Sequence, residues 1–306
     1  MTSTPTPLPR SSGDMLADRR ADYAEMLFGN GEPAAAAELM MGALELAPDW
    51  ALGWFRLGEF QEAAAAPGQA AQAWRMTLQL DPIDRPGAAL KLALIGRAPS
   101  PAAPPSAFVE ALFDQYAPTF DASLMEKLGY RVPELLRGAI RAQKRERFSL
   151  AIDLGCGTGL MGELLRPFVD RLIGYDISTA MLKKAEAKCV YDQLEKADLQ
   201  SFDGAGIGAD LATAADVLMY IGALDGLVKT VAEILEPGGL FAFSVEAHDG
   251  ADDFMLRPSR RYAHAESYIR RVLRQKFAVL SLDREVIRID RNEPIEGLIV
   301  VARREG

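Results

Sequence analysis

The sequence is poor in the side chains that build disulfide frameworks and metal centres. Its 306 residues include two cysteines, Cys156 and Cys189, and two histidines, His248 and His264. Two cysteines make no disulfide framework, no CxxC pair exists, and the histidines lack ligand spacing, so no metal is expected. A reducing cytoplasm is the natural compartment for such a chain. Long apolar runs are missing too. None reaches the about 18 residues of a membrane span, and the opening MTSTPTPLPR has no signal-peptide core. Basic excess is also absent. The net charge of −9 argues against non-specific attachment to nucleic acid or anionic lipid. What is left, 49% hydrophobic and 25% charged residues, suits a soluble globular chain of about two domains.

Texture divides the chain. Residues 1–14 are rich in Pro, Ser and Thr and are expected to be a disordered tail. Residues 15–96 are rich in Ala and Leu with helical periodicity. GRAPSPAAPPS follows, and its prolines predict an extended linker over 97–106. Residues 107–306 begin with amphipathic helices bounded near Pro118 and Pro133, then alternate strands and helices.

The second segment holds a repeat. Pro48 and Pro82 stand thirty-four residues apart, as do Pro33 and Pro67. That is the tetratricopeptide period. Trp54, Leu57, Gly58, Ala70 and Trp74 fall where that family packs large, small and aromatic side chains. In the first copy Ala36, Met40 and Ala43 fit, but Arg20 stands in the place of Trp54. The segment resembles two tetratricopeptide repeats, one of them degenerate. About three are usually needed for stability, so RPGAALKLALIG is expected to add a capping helix. Such repeats offer a possible docking region for a protein partner; plain helical hairpins without a partner are the simpler reading.

The third segment reads as a parallel sheet with crossover helices. Strands are expected at FSLAIDL, RLIGYD, QLEKADL, ADLATAAD, GLFAFSVE, FAVLSLDREVIRID and PIEGLIVVARR. Only RNEP joins the last two, too short for a crossover, so they should pair antiparallel. The expected fold is α/β, a Rossmann-like doubly wound seven-stranded sheet behind an all-α helical domain.

Chemistry concentrates in AIDLGCGTGL, residues 151–160. A glycine-rich turn between strand and helix brings backbone N–H groups and a positive helix end to a ligand. Asp176 ends the next strand, seventeen residues past Gly159, where an acid can accept ribose hydroxyls. The dinucleotide fingerprint GxGxxG fits poorly. Counted from Gly155 and Gly157, its third glycine falls at Leu160, and Gly159 comes one residue early. Asp153 would repel a pyrophosphate and attract an ammonium group. A phosphate-free, cationic nucleoside suits these charges better than NAD.

IDLGCGTG, YDIS…ML, KADL and LEPGGLFAFSVE occur in the order of the motifs of class I S-adenosylmethionine-dependent methyltransferases, and residues 107–306 resemble that family. The whole chain, with FDQYAPTFDASLMEKLGYRVPELL, resembles the bacterial group that carries an N-terminal tetratricopeptide region. The resemblance implies S-adenosyl-L-methionine as cofactor and S-adenosyl-L-homocysteine as product. It implies that Gly155, Cys156, Gly157, Thr158 and Gly159 lend backbone to the methionine moiety and ribose. Asp153 would help hold the α-amino group, Asp176 the ribose hydroxyls, and Ile177 and Met181 would flank the adenine. Asp198 and Leu199 would meet the adenine edge. Ala215 and Asp216 would face the methyl group, and Tyr116, Phe120 and Tyr130 would form a lid.

Asp216, His248 and Tyr220 are the candidates for a general base. The methyl acceptor is not identified by the sequence. AADVLMY lacks the Asn- or Asp-Pro-Pro-aromatic clamp of base-amino methyltransferases, which favours a small molecule or a protein side chain. The arginines between Arg257 and Arg274 could meet an anionic substrate, or form a solvated helix face. A non-catalytic scaffold that binds the cofactor and recruits a partner is the alternative.

Overall fold

A computed structural model describes residues 8–122, 129–290 and 292–306. The chain divides into two compact units, Met1–Ala111 and Leu112–Gly306.

The first unit is all helix: α1 (Met15–Gly29), α2 (Pro33–Leu44), α3 (Ala51–Ala63), α4 (Pro67–Leu80) and α5 (Ala88–Leu94). Pro33 and Pro67 each open a helix, where a missing N–H costs nothing. Trp74 is fully buried and lies over Gly58. A Cβ at Gly58 would come within 2.3 Å of the Trp74 indole, so the small residue is what lets α3 and α4 close together. In the first hairpin Arg20, in the place of a tryptophan, donates to the Gly42 carbonyl instead. The buried Asp84 caps α5 by accepting from Ala88 N at 2.6 Å and Ala89 N at 2.9 Å. Through Ala88 and Leu92, α5 closes the apolar cluster around Phe55, Ala71 and Trp74.

The expected tail is corrected in part. Residues 1–7 lie outside the described residues, but Ser12 and Asp14 belong to a cap. Ser12 N donates to Asp18 at 2.7 Å, and Asp14 accepts from Leu16 N and Ala17 N at the start of α1. The proline-rich stretch leads into α6 (Ser106–Tyr116), within which the division between the units falls.

The second unit continues with α7 (Phe120–Ala122) and α8 (Val132–Ala142); part of the stretch between them, residues 123–128, lies outside the described residues. Then come β1 (Phe148–Leu154), α9 (Leu160–Leu165), β2 (Val169–Asp176), α10 (Thr179–Ala187), β3 (Gln193–Lys196) and β4 (Ala209–Ala214). They are followed by α11 (Asp225–Ile234), β5 (Leu235–Ala247), β6 (Phe254–Leu256), β7 (Tyr262–His264) and α12 (Glu266–Leu273). β8 (Phe277–Asp290) and β9 (Glu293–Arg304) end the chain.

The order β3-β2-β1-β4-β5 is parallel throughout. β9 pairs antiparallel with both β5 and β8, as the short RNEP connection requires. The described residues form nine strands, not seven. The two extra ones, β6 and β7, make a hairpin too short to leave a periodic signature, and β7 extends the C-terminal end of β5. Register between β4 and β5 jumps from Ala209↔Leu235 to Leu211↔Leu240, so LEPGG, just before the expected strand GLFAFSVE, bulges within β5.

Both faces of the sheet are buried. Ile152, Ile173, Ala212 and Phe241 pack with α11 and α12; their neighbours Ala151, Leu172, Leu211 and Ala242 pack with α8 and α9. This explains the near-continuous apolar runs of these strands. The chain runs outward through β1, β2 and β3, then returns to the other side of β1 with β4. Open α/β sheets bind ligands at such a reversal, beyond the carboxyl ends of the strands.

Candidate functional site

Asp153 and Asp176 end β1 and β2 at that reversal. Asp153 is fully buried. Its oxygens accept from Tyr191 Oη at 2.7 Å and Thr213 Oγ1 at 2.8 Å. Asp176 accepts from Gly157 N at 2.9 Å and Ser178 N at 2.8 Å. Burial pushes both carboxyls up to about 6, against the pull of these donors. Each acid also raises the cost of ionising its neighbours: Asp176 acts on Asp153, and Asp114 acts on Asp176. The site stores negative charge at a cost, and a cation placed there relieves it.

The turn between the two acids uses its glycines for different ends. Gly155, Gly157 and Gly159 all have left-handed backbone, with φ of +66°, +55° and +92°. A Cβ at Gly155 would meet Val217 at 2.4 Å, and one at Gly159 would meet Tyr191 at 3.1 Å. These two are small for the protein's own packing. Among the described residues a Cβ at Gly157 would find only Phe120, at 3.9 Å, so this is the open position of the three. Cys156 between them has its N–H on the Tyr175 carbonyl, and its thiol is buried and pushed well up, which leaves it inert. Thr158 donates to Asp121.

Ser178 caps α10 by accepting from Met181 N at 3.1 Å, and its hydroxyl donates to Asp114 at 2.5 Å. Asp114 lies on α6, so that helix is bonded to the rim of the site. Phe120 covers the Gly157 turn and meets Phe113 edge-on at 6.1 Å; Phe113 in turn meets Tyr220 at 5.1 Å. Tyr116, on the same helix, is half exposed. Tyr130 is half-buried; burial first, then Asp216, push its hydroxyl up.

On the other strand ends, Ile177 is half-buried and Met181 fully buried beside Asp176. The Ala197 N–H donates to the Asp176 carbonyl at 3.0 Å, which brings the half-buried Asp198 and Leu199 alongside. Beyond β4, Ala215 packs on the apolar cluster and Asp216 takes φ +56°, donating its N–H to Ser244 Oγ at 2.9 Å. Arg288 Nη1 bonds both Asp216 oxygens, at 3.0 and 3.2 Å. Tyr220 is buried, and its hydroxyl accepts from Arg261 Nε at 3.2 Å. His248 stands apart. Its Nδ1 accepts from Gly250 N at 3.0 Å, its buried Nε2 has no hydrogen-bond partner among the described residues, and its backbone N–H goes to the His264 carbonyl.

The fold therefore gathers Asp153, Asp176, the 155–159 turn and Phe120 into one site, with Asp216 and Tyr220 at its edge. Sequence reasoning missed Tyr191, Thr213, Asp114, Glu246 and Arg288, whereas Arg261 belongs to the arginine run it had singled out. Glu246 left a signal, a charge inside the apolar run of β5, whereas Arg288 stands among the other charged residues of β8; both are buried. Tyr191 left none. Among the described residues no group of three or more acidic, His or Cys side chains could hold a metal, and no helix is long and apolar enough to cross a membrane.

Residues 125–281 match a family model described as a methyltransferase domain. A malonyl-acyl-carrier-protein O-methyltransferase from Enterobacter lignolyticus is 26% identical over 165 residues, which cover 54% of this chain and 63% of that protein. A carboxy-S-adenosyl-L-methionine synthase from Sulfurimonas denitrificans is 32% identical over 141 residues, 43% of this chain and 59% of that one. The chain thus spans about three-fifths of the length of these curated relatives. Among solved structures, the cyclase SpnF is 16% identical and superposes with a TM-score of 0.55 over 67% of this chain and 98% of its own; the likeness is one of fold.

Proposed function

Since the chain belongs to the methyltransferase-domain family, whose model covers residues 125–281, we propose that it transfers a methyl group from S-adenosylmethionine to a small-molecule or protein side-chain acceptor, by in-line displacement. The observation that carries this reading is the charge of the site. Two buried carboxylates, Asp153 and Asp176, flank an open glycine peptide, and a third, Asp114, stands behind. A pyrophosphate would be repelled there. A ligand with an ammonium group and a sulfonium is drawn in, and the pair of acids accounts for both its α-amino end and its ribose.

S-adenosylmethionine, when bound, supplies a methyl carbon already activated by its sulfonium. The residues of this chain then mainly bind and orient. Asp176 has used two of its roughly four acceptor sites on backbone N–H groups and keeps others for ribose hydroxyls. Asp153, held by Tyr191 and Thr213, presents a fixed charge to the amino group. Ile177 and Met181 supply apolar surface for the base, with Asp198 and Leu199 at its edge. Phe120 closes over the turn, with Tyr130 beside Asp216; the half-exposed Tyr116 forms the outer part of the lid. Ala215 and Asp216 border the reacting centre.

Of the three candidate bases, Asp216 is engaged by Arg288 and Tyr220 accepts from Arg261; among the described residues His248 keeps an unpartnered Nε2. The helical hairpins of the first unit and its Gly58–Trp74 packing support reading it as tetratricopeptide-like repeats, a docking region for a protein partner. Two unpaired cysteines suit a reducing cytoplasm.

Titration calorimetry with S-adenosylhomocysteine and with NADH tests the cofactor. Binding of the first and not the second is expected; the reverse overturns the reading. The scaffold alternative makes a separate prediction. Asp176→Ala would leave partner capture and cellular function intact if the chain only recruits, and would abolish turnover if it is an enzyme.

A further inference from the structure

Two strands carry charge into the interior at one end of the sheet. Glu246 on β5 and Arg288 on β8 are each 2% exposed. Arg288 spends Nη1 on Asp216 and Nη2 on Glu246, while its buried Nε has no hydrogen-bond partner among the described residues. Arg257 and Arg261, on either side of the β6–β7 turn, close over this pair. Together with Asp290 and Ile295 they line a cavity of about 150 Å³.

The cavity has a surplus of donors without a surplus of charge. Its lining holds three guanidiniums and two carboxylates, Glu246 and Asp290, and Asp216 offsets the charge of Arg288 from outside the lining. Yet the carboxylates do not saturate the donors. Arg257 approaches Glu246, and Arg261 approaches Asp290, only to 3.7 Å, beyond hydrogen-bond reach. Among the described residues, the Arg257 guanidinium makes one hydrogen bond, from Nη2 to the Ala247 carbonyl at 2.6 Å. The Arg261 guanidinium makes one, to Tyr220 Oη. Each guanidinium has five N–H donors. A ligand rich in acceptors but poor in charge fits this balance. A carboxylate brings about four acceptor sites in the planar geometry that an arginine fork matches, for one negative charge. A phosphate brings nearly two charges into a neutral cavity. Pro258 and Ile295 give the cavity an apolar wall, which a short hydrocarbon stretch would cover.

The cavity is joined to the cofactor site by direct contacts. Arg288 bonds Asp216, and Asp216 precedes Val217, which abuts Gly155. Arg261 bonds Tyr220, whose ring continues through Phe113 and Phe120 to the Gly157 turn.

We propose that this cavity is the recognition pocket for the methyl acceptor and that it takes the carboxylate of a small aliphatic acid, with Arg257 and Arg261 as the grasping residues and Arg288 as the fixed floor. The proposal rests on the methyl-transfer reading for the pocket's role as an acceptor site. Asp216 and Glu246 hold Arg288 in place, so its charge is oriented before the acid arrives.

The test uses the full chain saturated with S-adenosylhomocysteine, with butyrate, butyramide and inorganic phosphate as probes in calorimetry. Butyrate should bind, and butyramide should bind at least about tenfold more weakly, since hydrogen bonds to a charged partner are worth a factor of roughly ten or more. Arg257→Gln and Arg261→Gln sit at the rim, with side chains 30% and 24% exposed. Each should weaken butyrate about tenfold, and Arg257→Gln, whose guanidinium bonds only the Ala247 carbonyl among the described residues, should leave the S-adenosylhomocysteine affinity within twofold. No probe binding while S-adenosylhomocysteine binds overturns the pocket and spares the cofactor reading. So does butyrate binding that neither variant changes. Phosphate binding as tightly as butyrate overturns the carboxylate class. Butyrate binding without any S-adenosylhomocysteine binding overturns the acceptor role and counts against the cofactor reading.

Discussion

Tyr191 donates its hydroxyl to Asp153 at 2.7 Å across thirty-eight residues of chain. The same ring fills the space that side chains at Gly162 and Gly174 would need: a Cβ at either would come within 2.3 to 2.9 Å of it. One aromatic residue therefore holds the acid at the end of β1 and sets the fit of α9 against β2. Tyr191→Phe should keep the packing and lose the hydrogen bond, costing about 1–3 kcal/mol of stability by leaving a buried carboxylate less satisfied. Tyr191→Ala should cost about 3–5 kcal/mol through the cavity it opens. Chemical denaturation of both variants measures the difference; equal losses would show that the hydroxyl contributes nothing.

Asp176 is expected to matter for the ligand more than for the fold. Asp176→Ala should reduce S-adenosylhomocysteine affinity by roughly 10- to 150-fold, the worth of a charged hydrogen bond. It also orphans the Gly157 and Ser178 N–H groups, which should cost about 1–3 kcal/mol of stability, offset in part by relief of the carboxylate that burial pushes up to about 6. Calorimetry beside thermal unfolding separates the two effects.

The acids at 153 and 176 should make cofactor binding depend on pH. Both sit at about 6, above the usual carboxylate value, because burial disfavours their ionised forms. In the ligand-free protein, their contribution to stability is greatest below about pH 4 and is lost as pH rises through 6. A cationic ligand prefers the ionised forms. S-adenosylmethionine affinity should rise from pH 5 to about pH 7 and then level, by up to about tenfold per pH unit for each proton released. A flat profile over this range would place the cation elsewhere.

Gly155 and Gly157 should part company under substitution. Gly155→Ala puts a methyl 2.4 Å from Val217 on backbone of positive φ, so it should destabilise the fold by several kcal/mol. Among the described residues Gly157→Ala meets nothing closer than 3.9 Å and should cost about 1 kcal/mol from its φ alone. Its larger effect should fall on cofactor affinity. Thermal unfolding and calorimetry on the two variants give opposite patterns if the Gly157 peptide faces the ligand.

Asp216→Asn should test the ion pair with Arg288. The arginine is 2% exposed, and removing one partner of a buried pair costs about 3–5 kcal/mol. A loss below 1 kcal/mol would mean that Glu246 alone suffices to hold Arg288.

The sequence by itself determined the alternation of strands and helices, the antiparallel end of the sheet and the glycine turn with its two acids. Each of these is a local property: apolar runs, a connection too short to cross over, and glycines at positive φ beside residues that end strands. The family resemblance rested on the same local motifs. Tertiary structure decided what those motifs could not carry. The short β6–β7 hairpin lies below the length at which periodicity speaks. Tyr191 meets Asp153, and Arg288 meets Asp216 and Glu246, only because the closed sheet brings together elements far apart in sequence, with β2 between β1 and β3 and β9 between β5 and β8. Nor could spacing say which glycine serves packing and which faces a ligand, since that depends on whether Val217, Tyr191 or open space lies opposite. Backbone preference is written along the chain; a buried charge finds its partner only when the sheet has closed.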